Sequence, residues 1–183
     1  MMNDIIDINW LFQSYYHDNP HLRRIVIDHS KEVAKKAIDI VNKKKLKLDK
    51  KDVYCAAMLH DIGVVKCDAK DIYAHGSLPY LRHGLEGKKI LENHHLHTYA
   101  KVCERHTGAG LTKKEIIENN LPLPPIDMLP ISLLEKLICY SDKFFSKSKD
   151  LHREKPIDEV MEQMKRYGEE PYLRFLALHR LFG

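Results

Sequence analysis

Several helix-like segments of this 183-residue chain place histidine or aspartate on a stripe that would otherwise be apolar. Residues 21–45 set Leu22, Val26, His29, Val33, Ala37 and Ile40 at three- and four-residue spacing, one face of a helix. In the next helical segment His60 shares a face with Val53, Ala56 and Ala57, and Asp61 follows one step round. His106 shares a face with Tyr99, Val102 and Cys103, and Asp142 falls among Leu134, Ile138, Ser141 and Phe145. His83 has Gly84 and Gly87 beside it, which leave room for close backbone approach. A buried imidazole or carboxylate is costly unless something pairs with it. A divalent cation would pair with all of these groups together, and it could also do chemistry. Such a chain must fold so that several helices converge on one point.

Strand signals are nearly absent, and there is no internal repeat. The pattern predicts helices over 4–17, ended by Asn19-Pro20, and over 21–45. Asp49 is the expected N-cap of a helix running to about Asp61, with Gly63 just past its end. Further helices are expected over 79–94 and 97–107. An S-x-x-E capping box at Ser132 and Glu135 opens another through about Lys147. Segments 156–167 and 170–181 complete the set, separated at Gly168. Residues 64–78 read as a loop, and the proline-rich stretch 119–131 as a rigid connection. The expected architecture is all-α: one domain over 1–183, a bundle of about seven to eight helices. Its core covers about 25–146, and helices 156–181 pack on it.

Composition narrows the setting. Hydrophobic content of 44% and charged content of 31% are ordinary for a globular protein. Cys55, Cys67, Cys103 and Cys139 form no C-x-x-C pair, the N-terminus shows no signal-peptide pattern, and no apolar run approaches membrane-spanning length. A reduced, cytoplasmic protein away from membranes is expected. The net charge of +4 suits small anionic molecules and does not argue for nucleic acid. The run from Lys43 to Lys47 reads as a solvated helix end without the interleaved aromatics of a nucleic-acid patch. The cluster His94-His95-Leu96-His97 reads as exposed. Met161, Met164 and Tyr167 read as core with Ile157 and Val160. Phe175, Leu178 and Leu181 read as core or as a homodimer contact.

The dipeptide His60-Asp61 alone carries little weight, since chance supplies about one such pair in a chain with twelve histidines. The second pair, His17-Asp18, lies at a helix end and reads as surface. What is specific is Leu59-His60-Asp61-Ile62-Gly63 combined with flanking His and Asp at core positions. The order His29, His60-Asp61, Asp142 resembles the HD-domain phosphohydrolase superfamily in its HDIG variant, over about residues 25–146. Segments 28–34, 81–87, 105–112 and 133–143 also resemble a small family of predicted HDIG hydrolases from archaea and bacteria. The placing of His83 and His106 is similar to HD enzymes that hold two metals and hydrolyse diadenosine tetraphosphate. The GYP motif of cyclic di-GMP phosphodiesterases is absent, and Val64 stands where those enzymes carry a lysine.

The resemblance implies that His29, His60, Asp61 and Asp142 bind one metal and that His83 and His106 bind a second, with Asp61 bridging. A mixed nitrogen-oxygen set suits Fe, Mn, Zn, Co or Ni better than Mg. The implied activity is hydrolysis of a phosphoester or phosphoanhydride of a small, nucleotide-like substrate by metal-bound hydroxide. Asp61, Lys66 and Lys143 are the residues expected to take part directly. The lysines sit near the ligands in sequence and would clamp phosphate oxygens. Arg82 and Arg105, one step from a ligand, are rotated about 100° away on a helix. Two other readings stand beside this one. The first is a module that binds metal and nucleotide without turnover, and the second is a di-iron oxygenase of the same fold.

Overall fold

The structure, a computed structural model, describes residues 7–147 and 150–183. It is 66% helical with one small three-stranded sheet. Helix α1 spans Ile8–Tyr16 and α2 spans Pro20–Lys44. Helix α3 is Lys50–Leu59, α4 His83–Asn93, α5 His97–Arg105, α6 Lys113–Glu118, α7 Leu133–Asp142, α8 Ile157–Tyr167 and α9 Glu169–Phe182. The start of the first predicted helix, residues 4–6, lies outside the described residues.

Local chemistry sets these limits. Asp7, Asn19, Asp49, Thr112 and Ser132 each cap a helix with a side-chain oxygen that accepts a backbone N–H. Pro20 occupies the first turn of α2, where its missing donor costs nothing. Lys45 ends that helix in the left-handed conformation, and Lys43 to Lys45 are exposed as expected. Helix α2 is the spine. It packs along α3 and α7, and Val26, Val33 and Ala37 are fully buried against them. Burying each such valine contributes on the order of 1.5–3 kcal/mol. Helix α4 packs on α5 and on the 3-10 turn Ile62–Lys66 that follows the His60-Asp61 pair. The α8–α9 hairpin closes the bundle through Val160, Met164, Phe175 and Leu178, all buried. Leu181 is exposed, so only part of the last predicted stripe is core. No helix among the described residues is long and apolar enough to cross a membrane.

Five features differ from the sequence expectation. Segment 64–78 is not a plain loop. Strand β1 (Cys67–Ala69) pairs antiparallel with β2 (Ala74–His75) and parallel with β3 (Leu78–Pro79), in the order β2-β1-β3. Strands of two or three residues leave no periodicity to read. The helix expected from 79 begins at His83, after a 3-10 turn over Tyr80–Arg82, because Pro79 holds an extended backbone. The helix expected to reach Lys147 ends at Asp142. Helix α6 was not expected, although Thr112 and Glu115 form a complete capping box there. The box expected at Ser132 is only half made, because Glu135 reaches back to the N–H of Ile131.

Candidate metal centre

Five of the six ligand candidates sit at helix ends. His60 is the C-cap of α3, His106 the C-cap of α5, Asp142 the last residue of α7, and His83 the first of α4. Asp61 follows directly after His60, and only His29 lies mid-helix, in α2. The C-terminal, partially negative ends of α3, α5 and α7 therefore meet at one point, which favours a cation there. The turn itself is pinned by Tyr16, whose buried hydroxyl donates to the carbonyl oxygens of Ile62 (2.9 Å) and Asp61 (3.3 Å). Gly63 lets the turn touch α4. A Cβ there would stand 2.1 Å from the His83 carbonyl oxygen and 2.2 Å from the Gly87 nitrogen. Gly84 plays the same part toward α5, where a Cβ would lie 2.5 Å from the Cys103 oxygen.

The six side chains form two groups that share one carboxylate. His29, His60, Asp61 and Asp142 offer ligand atoms all within 4.8 Å of one another, and so do Asp61, His83 and His106. All six residues are buried. His29 Nε2 is 2.9 Å from Asp142 Oδ1 and 3.4 Å from Asp61 Oδ2. His60 Nε2 is 3.0 Å from Asp61 Oδ2. His83 and His106 each bring Nε2 to 3.5 Å from Asp61 Oδ1.

The imidazoles are fixed by a shared device. Nδ1–H of His60, His83 and His106 donates to the carbonyl three residues back: Ala57 at 2.6 Å, Tyr80 at 2.7 Å and Cys103 at 2.8 Å. This sets the tautomer and leaves Nε2 as the inward atom, the usual second partner of a metal-bound histidine. For His83 and His106 those Nε2 atoms face each other at 3.1 Å. Two lone pairs do not sit together in a dry pocket without a cation between or beside them. Both Asp61 oxygens and His60 Nε2 are buried without a hydrogen bond, although charged neighbours lie near. The donor set therefore fits a divalent transition ion.

Protonation follows the same logic. Burial, with Lys147 adding to it, lowers the His29 pKa to about 4. Burial takes His83 to about 3, and it lowers His106 as well. These rings are neutral and free to coordinate. Burial also opposes a charge on His60, but Asp61 and Asp142 outweigh it and hold that ring at about 9. Burial would raise Asp61 and Asp142, yet their cationic neighbours keep both well below the usual carboxylate range. Two ionised carboxylates thus draw positive charge into the centre.

The lysines divide. Lys143 Nζ pairs with Asp142 Oδ2 at 2.7 Å and donates to the His106 oxygen at 3.1 Å. Lys66 is exposed and does not line the adjoining cavity, because the 3-10 turn carries Ile62, Gly63 and Val64 inward and Lys66 outward. The residue that sequence reasoning missed is Lys147. Its Nζ lies 2.6 Å from Asp61 Oδ2, on a side chain that is mostly buried. It was expected to end a continuous helix. Because α7 stops at Asp142, the chain turns and brings Lys147 back over the centre. No spacing rule would have flagged that. Arg82 and Arg105 face away, as expected, to Glu86 and the Pro122 oxygen and to Glu104 and Glu135. His17-Asp18 is an exposed pair on the surface.

A cavity of about 610 Å³ opens from the centre. Its inner end includes Tyr80, His83, His106, Asp142, Lys143 and Lys147. Its outer end includes Met164 and Tyr167, two residues expected to be core alone.

Comparison with known proteins agrees with this centre. A family model for the HD domain matches residues 26–146, and the chain belongs to that family. An uncharacterized protein of Methanocaldococcus jannaschii is 34% identical over 149 residues, covering 79% of this chain and 78% of its own length. Two proteins named tRNA (cytidine(56)-2'-O)-methyltransferase, from Picrophilus torridus and Thermoplasma volcanium, are also similar. They are 28% and 27% identical over 73% and 86% of this chain. This chain spans only 35% and 42% of their lengths. No solved structure gives a significant match.

Proposed function

We propose that this HD-domain protein is a metal-dependent phosphohydrolase that cleaves a phosphoester or phosphoanhydride bond of a small, nucleotide-like molecule. The observation that carries the reading is the pair of buried donor groups sharing Asp61 at the closed end of a cavity. His29, His60, Asp61 and Asp142 would hold one ion, and Asp61, His83 and His106 a second. A divalent transition ion held there would supply Lewis acidity and a water that ionises near neutral pH.

The chain's own residues do the rest. The Nδ1–H bonds of His60, His83 and His106 hold the rings in place. Lys143 and Lys147 bring two ammonium groups to the same end, where they can take phosphate oxygens and offset charge on the departing oxygen. Burial of both carboxylates excludes bulk water from the reacting end. The name carried by the two methyltransferases is not transferred to this chain, which spans well under half of each.

The test is a panel of phosphoesters and phosphoanhydrides with added Mn, Fe, Co or Ni. Turnover that disappears in His60→Ala and Asp61→Ala variants supports the reading. A panel with no turnover, from protein that holds its metal, overturns it.

A further inference from the structure

The cavity has two chemically different ends, and its outer wall is built by residues beyond the family-matched segment. Gln163, Met164 and Tyr167 of α8 line it together with Leu81, Leu111 and Leu121. Helix α9 anchors this wall. Arg174 donates to the oxygens of Ala109 (3.3 Å) and Gly110 (3.1 Å) and pairs with Glu115 at 2.7 Å. The hairpin is thereby tied to the loop that forms the opposite side. Away from the lysines the lining mixes apolar side chains with Asn119, Gln163, Glu115 and Arg166.

The inner end is cationic. Lys143 and Lys147 flank Asp142 and Asp61, while Lys155, outside the lining, donates to Gln163 Oε1 at 3.0 Å. The ammonium groups of Lys143 and Lys147 balance the two carboxylates, so any divalent ion leaves the end with net positive charge. Such an end calls for a multiply charged anion. A phosphate monoester carries roughly 1.5 to 2 negative charges at neutral pH. A diester carries a single charge and would leave the lysines poorly matched. The volume, 610 Å³, falls inside the range of roughly 300–1,000 Å³ typical of a pocket for one small ligand.

We propose that the cavity takes a phosphate monoester of one ring-bearing body, a single nucleoside monophosphate, with phosphate inward and the ring against Tyr167 and Met164. This rests on the hydrolase reading above and makes Gln163 and Tyr167 its specificity-determining residues. In the reaction, water adds to phosphorus and the P–O bond to the nucleoside breaks. The nucleoside oxygen leaves with a proton from that water, giving nucleoside and orthophosphate.

The experiment uses the full chain loaded with manganese. Nucleoside monophosphates are compared with glycerol phosphate, which has no ring, and with bis(p-nitrophenyl) phosphate, a diester. The monoesters should turn over at least tenfold faster than the diester. Tyr167→Ala, at an exposed position, should lower the preference for nucleotide over glycerol phosphate at least fivefold, as expected for loss of one base–aromatic stack. The loss should fall on KM, and Tyr167→Phe should restore it. Preference for the diester, or equal effects on both monoesters, would overturn the proposal. Calorimetry with a nucleoside monophosphate separates the two claims. Tyr167-dependent binding without turnover would sink the hydrolase reading and keep the cavity assignment. Turnover indifferent to the ring would do the reverse.

Discussion

Gly63→Ala should cost the protein one metal ion rather than simply loosen the fold. A Cβ at Gly63 would stand 2.1 Å from the His83 oxygen, 2.2 Å from the Gly87 nitrogen and 2.8 Å from the Gly87 Cα. All three are backbone atoms of α4, so no side-chain rotation relieves the clash. Reaching ordinary contact at 3.4 Å requires α4 to move by more than about 1 Å. That helix begins with His83, whose Nε2 must keep its place 3.5 Å from Asp61 Oδ1. Metal–ligand distances tolerate only about 0.2 Å of error. The group formed by Asp61, His83 and His106 should therefore lose its ion, while His29, His60 and Asp142, borne by α2, α3 and α7, keep theirs. Overpacking of this kind costs about 1–3 kcal/mol. For a domain of this size that lowers the melting temperature by roughly 2–12 °C. Metal analysis and calorimetry on purified variant and parent give both numbers. A variant that melts with the parent and carries the same metal content would refute the argument.

Three further outcomes follow. Lys147→Met removes the ammonium 2.6 Å from Asp61 Oδ2. It should tighten manganese binding measured without substrate, while weakening phosphate inhibition several-fold; unchanged affinities for both would remove Lys147 from the centre. In chelator-treated protein, His29 and His83 titrate near 4 and 3 when folded but near 6.5 when unfolded. Below pH 6.5 the unfolded chain binds more protons, so stability should fall by several kcal/mol as pH drops toward 4. The raised His60 acts oppositely, and its contribution is lost as pH climbs through about 9; a urea-melt series across pH reads both slopes, and a flat profile would contradict them. Arg174→Met should unclamp the 109–110 loop from α9 and raise KM for substrate severalfold while leaving metal content intact. Loss of metal instead would show the loop to be part of the centre.

The parts of this molecule that were legible in the sequence are those governed by periodicity and caps. Helix α2 was readable because Leu22, Val26, Val33 and Ala37 repeat on one face, and His29 stood out by interrupting that face. Asp49 and Ser132 announced the starts of α3 and α7 through side-chain chemistry that acts over three residues. The buried His and Asp cluster was legible because charged and imidazole groups on core faces demand an explanation. The small sheet was not, since its strands are too short to alternate. Lys147 was not, because its role depends on where α7 stops, and the run Tyr140 to Phe145 gives no stop signal of its own. Lys66 was misplaced for a related reason. A 3-10 turn of three residues per turn replaced the geometry assumed near Asp61, and the side chain came out on the solvent side. Tyr167 reads as core by spacing, but 59% of its surface remains exposed beside a cavity that only the packing of α8 creates.

The central claim is that six dispersed side chains bind metal through two donor groups that share Asp61. Elemental analysis of protein purified without chelator, combined with anomalous diffraction at the metal edge, tests it most directly. The account predicts one or two equivalents of a transition ion, with every anomalous peak contacted by Asp61 and with His83→Ala removing at most one of two. Metal-free protein that does not take up Mn, Fe, Co, Ni or Zn, or an anomalous peak away from Asp61, would contradict it.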